Sequence, residues 1–499
     1  MPRSTVIRAI VLLCLSLTLV VAARQNWVAP PQTLAQENDS RPVFVHLFEW
    51  KWDDIAQECE AFLAPRGYGA VQISPPAEHI VLPEQGFPWW QRYQPVSYQL
   101  ISRSGNQAQL TRMIDRCHRV GVRIYADAVI NHMAAIAKSV GSAGTSYSRY
   151  HYPGLYQPQD FHTCRKSISN YNNRKEVTDC ELSSLPDLNT ELPHVREQIA
   201  NYLIHLAQLG VDGFRIDAAK HIKTEDIAAI LAIVNQAVEP DPYIYQEVLD
   251  PGNEAIRKQE YYPNGRVVEA EYGRQVSEKF MDINGSIAQL ETLGESWGLM
   301  PSEKAIVFID NHDKQRGHGG GGNYLTYKAG KLYDLANVFM LAFPYGTPQV
   351  MSSYAFSNSD QGPPANEKGQ TTNVYQNGTA QCFEAWICEH RHPSIASMVQ
   401  FRNTVPPESP VMHWWSNGQN QIAFSRGTSG FVVINRSSQP LTQIFQTSLA
   451  AGTYCNILTN DYHPDQPCPS LVTIDAQGQT TITVAEMSAV AVHAGAIAN

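Results

Sequence analysis

The stretch Val211-Asp212-Gly213-Phe214-Arg215-Ile216-Asp217-Ala218-Ala219-Lys220-His221 reads as a short β-strand that ends on charge. In a strand, residues i and i+2 share a face, so Arg215 and Asp217 point one way while Phe214 and Ile216 pack the other. Two further segments have the same form: Tyr243-Ile244-Tyr245-Gln246-Glu247-Val248 and Val307-Phe308-Ile309-Asp310-Asn311-His312-Asp313. Each is an apolar run that gives way to a carboxylate, the pattern of a site at the carboxyl ends of barrel strands. A carboxylate after a strand is also a common helix cap. Three together, flanked by His132, Lys220 and His312, favour one shared site over three separate caps.

Outward from these segments, apolar runs alternate with helix-like stretches. Phe44 to Phe48, Ala70 to Ile73, Val122 to Ala128, Gly213 to Asp217, Tyr243 to Glu247, Val267 to Glu269 and Ala305 to Ile309 read as strands. Between them, Asp53 to Leu63, Gln107 to Val120 and His194 to Leu209 carry apolar residues at helical spacing. Repeated alternation implies a parallel sheet, and about eight such units make a (β/α)8 TIM barrel. The barrel is expected over 41–131 and 187–405. From 132 to 186 the alternation stops in a run rich in Gly, Ser, Tyr and Asn, which reads as an irregular insertion after the third strand. Beyond Val405, runs such as Gln421 to Ser425, Gly430 to Asn435 and Thr480 to Val484 suggest antiparallel strands, so 406–499 is expected to be a small β-sandwich.

Composition narrows the function classes. Over 499 residues, 43% apolar and 17% charged is a globular balance, and 32 Gly with 31 Pro indicate many loops. A formal charge of -10 and the lack of any Lys/Arg run argue against a nucleic-acid partner. Arg3 and Arg8 precede an apolar stretch from Ala9 to Ala23, followed by a polar segment, which is a secretory signal pattern. Residues 1–23 are expected to be removed, with cleavage as late as 35 also compatible. An uncleaved anchor is the competing reading, but the stretch is short for a span of roughly 20 residues. The mature chain is expected to be secreted, with no membrane segment.

Loss of Cys14 with the signal leaves eight cysteines of nine, an even number suited to an oxidising compartment. Their spacing invites the sequential pairs Cys382 with Cys388, Cys455 with Cys468 and Cys164 with Cys180, while Cys59 and Cys117 remain as a long-range pair. Spacing alone does not fix the connectivity. A zinc site is disfavoured because no Cys-x-x-Cys pair is present.

Four ordered segments resemble the signature motifs of the α-amylase family: Asp-Ala-Val-Ile-Asn-His at 127–132, Gly-Phe-Arg-Ile-Asp-Ala-Ala-Lys-His at 213–221, Gln-Glu-Val at 246–248 and Phe-Ile-Asp-Asn-His-Asp at 308–313. Pro88-Trp89-Trp90-Gln91-Arg92-Tyr93-Gln94-Pro95-Val96-Ser97-Tyr98, Gly317-His318-Gly319-Gly320-Gly321-Gly322 and the run Phe339-Met340-Leu341-Ala342 leading to Pro344-Tyr345-Gly346 resemble the chloride-dependent, animal-type branch. The resemblance runs from about Arg41 to the C-terminus. It implies a glycoside hydrolase that cleaves internal α-1,4 bonds of starch, glycogen and malto-oligosaccharides with retention, as a monomer.

By that resemblance Asp217 is the nucleophile, Glu247 the general acid/base and Asp313 the carboxylate that supports the transition state. The chemistry asks for one ionised and one protonated carboxyl about 5–5.5 Å apart. Arg215 is expected to keep Asp217 ionised, while burial and negative neighbours raise Glu247. The resemblance further implies sugar contacts from Trp89, Trp90, Tyr93, His132, Tyr171, Lys220, His312 and His318. Neighbouring Pro88, Gln91 and Arg92 suggest that the two tryptophans and Tyr93 stand on a loop as an exposed stacking platform, although a Trp pair seen alone is more often core. The four glycines after His318 would let that loop move over substrate.

Two ions follow from the same resemblance. Calcium would be caged by Asn131, Asp187 and the backbone carbonyls of Thr178 and His221, tying the insertion to the barrel; the plainer reading makes Asn131 and Asp187 turn residues. Chloride would be held by Arg215, Asn311 and Lys331, the last a point charge where many relatives have an arginine fork. Relatives carry one further disulfide near Ile101 and the loop after Ala134, where this chain has no cysteine. Asn38, Asn284, Asn377 and Asn435 lie in glycosylation-type triplets. A related transglycosylase or maltogenic hydrolase shares the motifs, whereas a non-catalytic carbohydrate-binding relative would have lost the three acids.

Overall fold

In the computed structural model, which describes residues 41–459 and 467–498, eight parallel strands close into a barrel. They are β1 (Phe44–Leu47), β2 (Ala70–Ile73), β3 (Arg123–Ala128), β4 (Gly213–Ile216), β5 (Tyr243–Gln246), β6 (Arg266–Val268), β7 (Ala305–Val307) and β8 (Thr347–Ser352). Each pairs with its successor in sequence, and β8 closes on β1. The first seven coincide with the apolar runs. β8 has a weaker signal, because Thr-Pro-Gln-Val-Met-Ser has proline at its second position and carries a glutamine, yet five of its six residues are buried.

The helices that cover the outside are α1 (Trp52–Glu58), α2 (Gln107–Arg119), α3 (Pro193–Gln208), α4 (Thr224–Ala237), α5 (Ala270–Phe280), α6 (Lys331–Ala342) and α7 (Pro393–Thr404). After β5 a 3-10 segment, Lys258–Asn264, replaces the expected helix. Local chemistry explains the boundaries. Asn106 and Gln109 cap the start of α2 reciprocally, each side chain accepting from the other's backbone N–H at 3.0 Å. The buried face of α2 is Leu110, Met113, Ile114 and Cys117, at helical spacing, and Arg116, His118 and Arg119 complement its carboxyl end.

Period-two alternation decides what fills the barrel. Phe44, Tyr125, Tyr245 and Ile306 form an inner cluster, with Phe44 edge-on to both tyrosines at 5.6 Å. Phe214, Ile216 and Ala126 face outward into the large core shared with the helices. Gly213 has a steric reason to be glycine: a Cβ there would lie 2.5 Å from the Tyr243 carbonyl and 2.9 Å from the Tyr125 ring. Its absence lets Tyr125 and Tyr243 stack at 4.9 Å.

Residues 132–186 are irregular in the main. They hold two small strand pairs, Lys138–Val140 with Ser146–Ser148 and Cys164–Ser167 with Cys180–Glu181, and one short helix, Arg174–Asp179. The C-terminal part is all β. Strands β9 (Val411–Ser416), β10 (Gln421–Arg426), β11 (Gly430–Asn435) and β16 (Ser488–His493) make a four-stranded antiparallel sheet. Two pairs, β12 (Leu441–Gln446) with β15 (Gln479–Val484) and β13 (Gly452–Cys455) with β14 (Leu471–Ile474), supply the opposing face. Phe431, Val433, Phe445, Val472, Ile482 and Val490 share one core between them.

All four expected disulfides are formed: Cys59–Cys117, Cys164–Cys180, Cys382–Cys388 and Cys455–Cys468. The signal segment, Cys14 and Asn38 lie outside the described residues. Among those described, no helix is long and apolar enough to cross a membrane. Asn435 is fully buried and its amide donates to three backbone carbonyls, so that triplet is no acceptor for a glycan, whereas Asn284 and Asn377 are exposed.

Candidate active site

The barrel ladder carries the key carboxylates to its carboxyl rim. Asp217 N–H donates to the Ala128 carbonyl at 3.1 Å and Glu247 N–H to the Ile216 carbonyl at 3.0 Å, so both residues continue their strands by one step. Alternation turns Asp127, Arg215, Asp217 and Glu247 inward, above the aromatic layer that includes Tyr245. Asp313 arrives differently, six residues beyond β7, in a turn pinned by Asn311 Oδ1, which accepts from the Asp313 and Lys314 N–H groups at 3.1 and 2.8 Å.

Arg215 is the centre of the site. Its Nη1 donates to Asp127 Oδ1 at 2.6 Å and to Asp217 Oδ1 at 2.8 Å. Its Nη2 lies 2.9 Å from Glu247 Oε1, in charge contact though not aligned as a hydrogen bond. Asp127 is fully buried and also accepts from Tyr93 OH at 2.9 Å and Gln72 Nε2 at 3.3 Å. Glu247 Oε2 accepts from the Ala218 N–H at 3.0 Å. Burial pushes the Asp217 carboxyl up, and Arg215 beside it acts in the opposite direction. Burial, with Glu247 adding, pushes Asp313 up to about 7.

Asp217, Glu247 and Asp313 line one cleft of about 980 Å³, as do Trp89, Trp90, Tyr93, His132, Tyr171, Lys220, His312 and His318. The expected exposed platform is corrected in part. Trp89 and Tyr93 belong to a 3-10 turn, Trp89–Tyr93, and are 4% and 9% exposed; only Trp90 is half-exposed. The reason is packing around His312, whose ring lies flat on Tyr93 at 5.1 Å and edge-on to Trp89 at 5.5 Å. Burial holds the His312 imidazole well below its usual range, hence neutral. His132 is engaged by protein at both ring nitrogens, with Asn131 Nδ2 at 3.2 Å and the Tyr93 carbonyl at 2.9 Å. Lys220 Nζ donates to the Leu249 carbonyl at 2.5 Å, pairs with Glu254 and lies 5.0 Å from the Tyr171 ring. His318 faces Trp89 at 5.7 Å with Nε2 unpartnered. The glycines after it all have positive φ, and Lys314 Nζ ties them down through the Gly319 and Gly321 carbonyls.

Contacts join the segments of the four residues expected to cage a cation in two pairs. His132 bridges to Asp187, and the Leu188 N–H donates to the Asn131 carbonyl at 3.0 Å. The His221 ring contacts the Val177 carbonyl at 3.1 Å, beside Thr178. Asp187 is 2% exposed, its Oδ2 pairs with His162 Nδ1 at 2.7 Å, and its Oδ1 has no partner. No cluster of three or more His, Cys, Asp or Glu side chains suited to a metal occurs among the described residues. The set here is instead one carboxylate, one amide and two carbonyls.

The anion set is not brought together. Arg215 and Asn311 are in the site, but Lys331 is the exposed first residue of α6 on the outside of the barrel. Its reading as a chloride ligand is corrected: a residue that opens an outer helix cannot reach the inner layer. The inner position on β8 belongs to neutral Gln349, which donates to Gln72 Oε1.

Sequence reasoning missed three residues. Asp127 stands in a quoted motif, two steps after the inward-facing Tyr125, and the strand period could have found it. His162 and Arg316 are held in place by contacts distant in sequence or by aromatic rings, for which one sequence offers no signal.

Comparison with known proteins supplies further findings. Residues 89–246 match the model of the α-amylase catalytic domain and 414–495 that of the α-amylase C-terminal all-beta domain. The chain is 44% identical over 486 residues to pancreatic alpha-amylase 2a5 of Mus musculus, covering 92% of this chain and 95% of that one. It is 44% identical to an alpha-amylase of Pecten maximus over 504 residues, 96% and 98% of the two chains. Alpha-amylase I of Eisenia fetida, at 41% identity, superposes with a TM-score of 0.86 over 91% of this chain and 97% of that one, and a variant of that enzyme has been solved with maltohexaose.

Proposed function

The chain belongs to the α-amylase family of glycoside hydrolases, and from that premise we propose that it hydrolyses internal α-1,4-glucosidic bonds of starch, glycogen and malto-oligosaccharides with retention at the anomeric carbon. The observation that carries the reading is the Arg215 guanidinium between Asp217 and Glu247, with Asp313 on the same cleft. A single planar fork touching both carboxyl groups supports the closely spaced pair of a retaining enzyme, about 5–5.5 Å, over the wider pair of an inverting one.

The steps follow from the groups. Glu247 gives its proton to the glycosidic oxygen while Asp217 attacks the anomeric carbon, forming a glycosyl ester and releasing the leaving chain. Glu247 then takes a proton from water, which opens the ester. Arg215 favours the ionised Asp217 on which attack depends. Asp313, beside neutral His312 at 3.8 Å, holds sugar hydroxyls and opposes the charge that develops on the ring. Tyr171, Lys220 and His318 line the approaches, and Trp90 offers an apolar ring face to a glucose unit.

The residues present fit a calcium ion. Asp187 Oδ1, buried and without a partner, is the acceptor such an ion would satisfy, together with Asn131 and the carbonyls of Thr178 and His221. The ion would supply cross-linking between the insertion and the barrel, with no part in the bond chemistry. A halide does not fit: Arg215 already meets three carboxylates, and the second cation of the expected set, Lys331, lies on the outside of the barrel. No step is assigned to it. We read the chain as a secreted monomer, on its N-terminal pattern and its family.

The test is release of reducing ends from soluble starch by the wild type and by Glu247→Gln, with the anomer of the first product followed by NMR. An α-anomer from the wild type and a near-silent variant are expected. A β-anomer would overturn retention, an inactive wild type the hydrolase reading itself, and transfer products in place of hydrolysis would point to a transglycosylase.

A further inference from the structure

Arg316 closes the 3-10 turn Lys314–Arg316 that follows Asp313, and it is 7% exposed. Its contacts are unusual for a buried cation. Nη1 donates to the His312 carbonyl at 2.9 Å and to Gln315 Oε1 at 3.3 Å, while Nε and Nη2 have no hydrogen-bond partner. No carboxylate pairs with it among the described residues. The nearby Tyr354 hydroxyl donates to the Gln361 carbonyl at 2.7 Å and turns its oxygen toward the guanidinium. In place of an anion the guanidinium has four rings, with centroids at 4.3 Å for Phe356, 5.0 Å for Phe48, 5.0 Å for Tyr354 and 5.7 Å for Trp89. Ring faces attract a cation, but a carboxylate would do so more strongly.

One of those rings, Trp89, lines the cleft, and a second, Phe48, packs behind it. Phe48 lies 5.1 Å and Trp89 5.5 Å from the His312 ring. Arg316 also holds the chain that carries the chemistry, since its own N–H donates to the Asp313 carbonyl at 2.9 Å and its Nη1 to that of His312. We propose that Arg316 is a positioning residue of the hydrolytic site, which brackets the His312–Asp313 backbone and sets a positive charge, in ion-pair contact with no carboxylate, behind both side chains.

The inference rests on the hydrolase reading of the cleft. The groups that face Asp313 are Glu247, Arg215, Lys314, His312 and Tyr93, besides Arg316. Burial is the largest influence on Asp313 and Glu247 reinforces it, while Arg215, Lys314 and Arg316 favour the ionised form. Burial likewise keeps His312 neutral, helped by Arg215, His46, Arg316 and His318. The field of Arg316 therefore has one sign of effect on both: its removal makes Asp313 and His312 easier to protonate.

The experiment compares Arg316→Met, which keeps bulk and loses charge, with Arg316→Lys, which keeps charge and loses the fork. The readouts are kcat and KM on starch across pH, thermal melting, and maltohexaose binding across pH by calorimetry. We expect Arg316→Met to move the acid limb of kcat upward by about half a pH unit or more and to lower kcat by about tenfold with little change in KM. Arg316→Lys should keep the wild-type limb with a smaller loss of kcat. A native-like Arg316→Met with the wild-type limb would overturn the charge role. If Arg316→Met fails to melt cooperatively, Arg316→Lys decides the bracket: wild-type kcat in that variant would overturn it. A wild type that binds maltohexaose without cleaving it sinks the hydrolase reading, and the pH dependence of binding still tests Arg316.

Discussion

Arg215 Nη1 donates to Asp217 Oδ1 at 2.8 Å from two residues earlier on the same strand, so one step of the pleat supplies both the proposed nucleophile and its counter-charge. Arg215→Met leaves Asp127, Asp217 and Glu247 buried without their cation, a loss of about 3–5 kcal/mol. The expected outcome is a lower melting temperature and kcat reduced by at least about 100-fold. Arg215→Lys should recover melting better than activity, because a point charge cannot span two carboxylates. Calorimetry and starch assays on both variants check this.

Asp313 offers a pH handle. Burial, with Glu247 adding, raises its carboxyl to about 7, so the ionised form needed in the cleft is lost as pH falls through that value. Accordingly kcat/KM should fall on the acid side of about pH 7, and Asp313→Asn should lower kcat by about 100-fold or more and flatten that limb. An unchanged limb in Asp313→Asn would assign it to another group.

Calcium removal tests the junction of the insertion with the barrel. Exhaustive chelation should lower the melting temperature, and added calcium should restore it in proportion to occupancy. Asp187→Asn should melt low and no longer respond to calcium. A melting curve indifferent to chelator would remove the ion from this reading.

The placement of Lys331 predicts indifference to halide. Activity of a dialysed sample in a halide-free buffer should match that with added chloride at equal ionic strength, and Lys331→Ala should behave as the wild type. Stimulation by chloride alone would show that Arg215 and Asn311 suffice to hold an anion.

Acid stability has a separate source behind the barrel. Glu58 is fully buried and would be raised by that burial, but His390 at 2.8 Å and Arg391 at 2.8 and 2.6 Å outweigh it and hold the carboxyl at about 2, from an ordinary 4.5. Because the folded value is depressed, the contribution is fully present above about pH 4.5 and is lost as pH falls toward 2, an amount of a few kcal/mol. Glu58→Gln should melt lower at neutral pH and show a shallower loss of stability across that window.

The amino-acid sequence determined the barrel and the inward direction of Arg215, Asp217 and Glu247, which depend on short-range periodicity; it left the cysteine connectivity open, and the fold formed the four pairs. Alternation at period two is a property of the strand itself, so charge at 215 and 217 declares a site before any partner is known. Tertiary structure alone decided that Lys331 lies on the outside and Gln349 on the inside, because which face of α6 or β8 meets the barrel interior depends on packing against other elements. It also decided that Trp89 and Tyr93 form a wall and not an open platform. Their burial is set by His312 and Phe48, residues distant in sequence that are brought together by barrel closure. Arg316 is the extreme case. A cation whose partners are ring faces from Phe48, Trp89, Tyr354 and Phe356 has no charge pattern along the chain, and only the closed fold puts those rings around it.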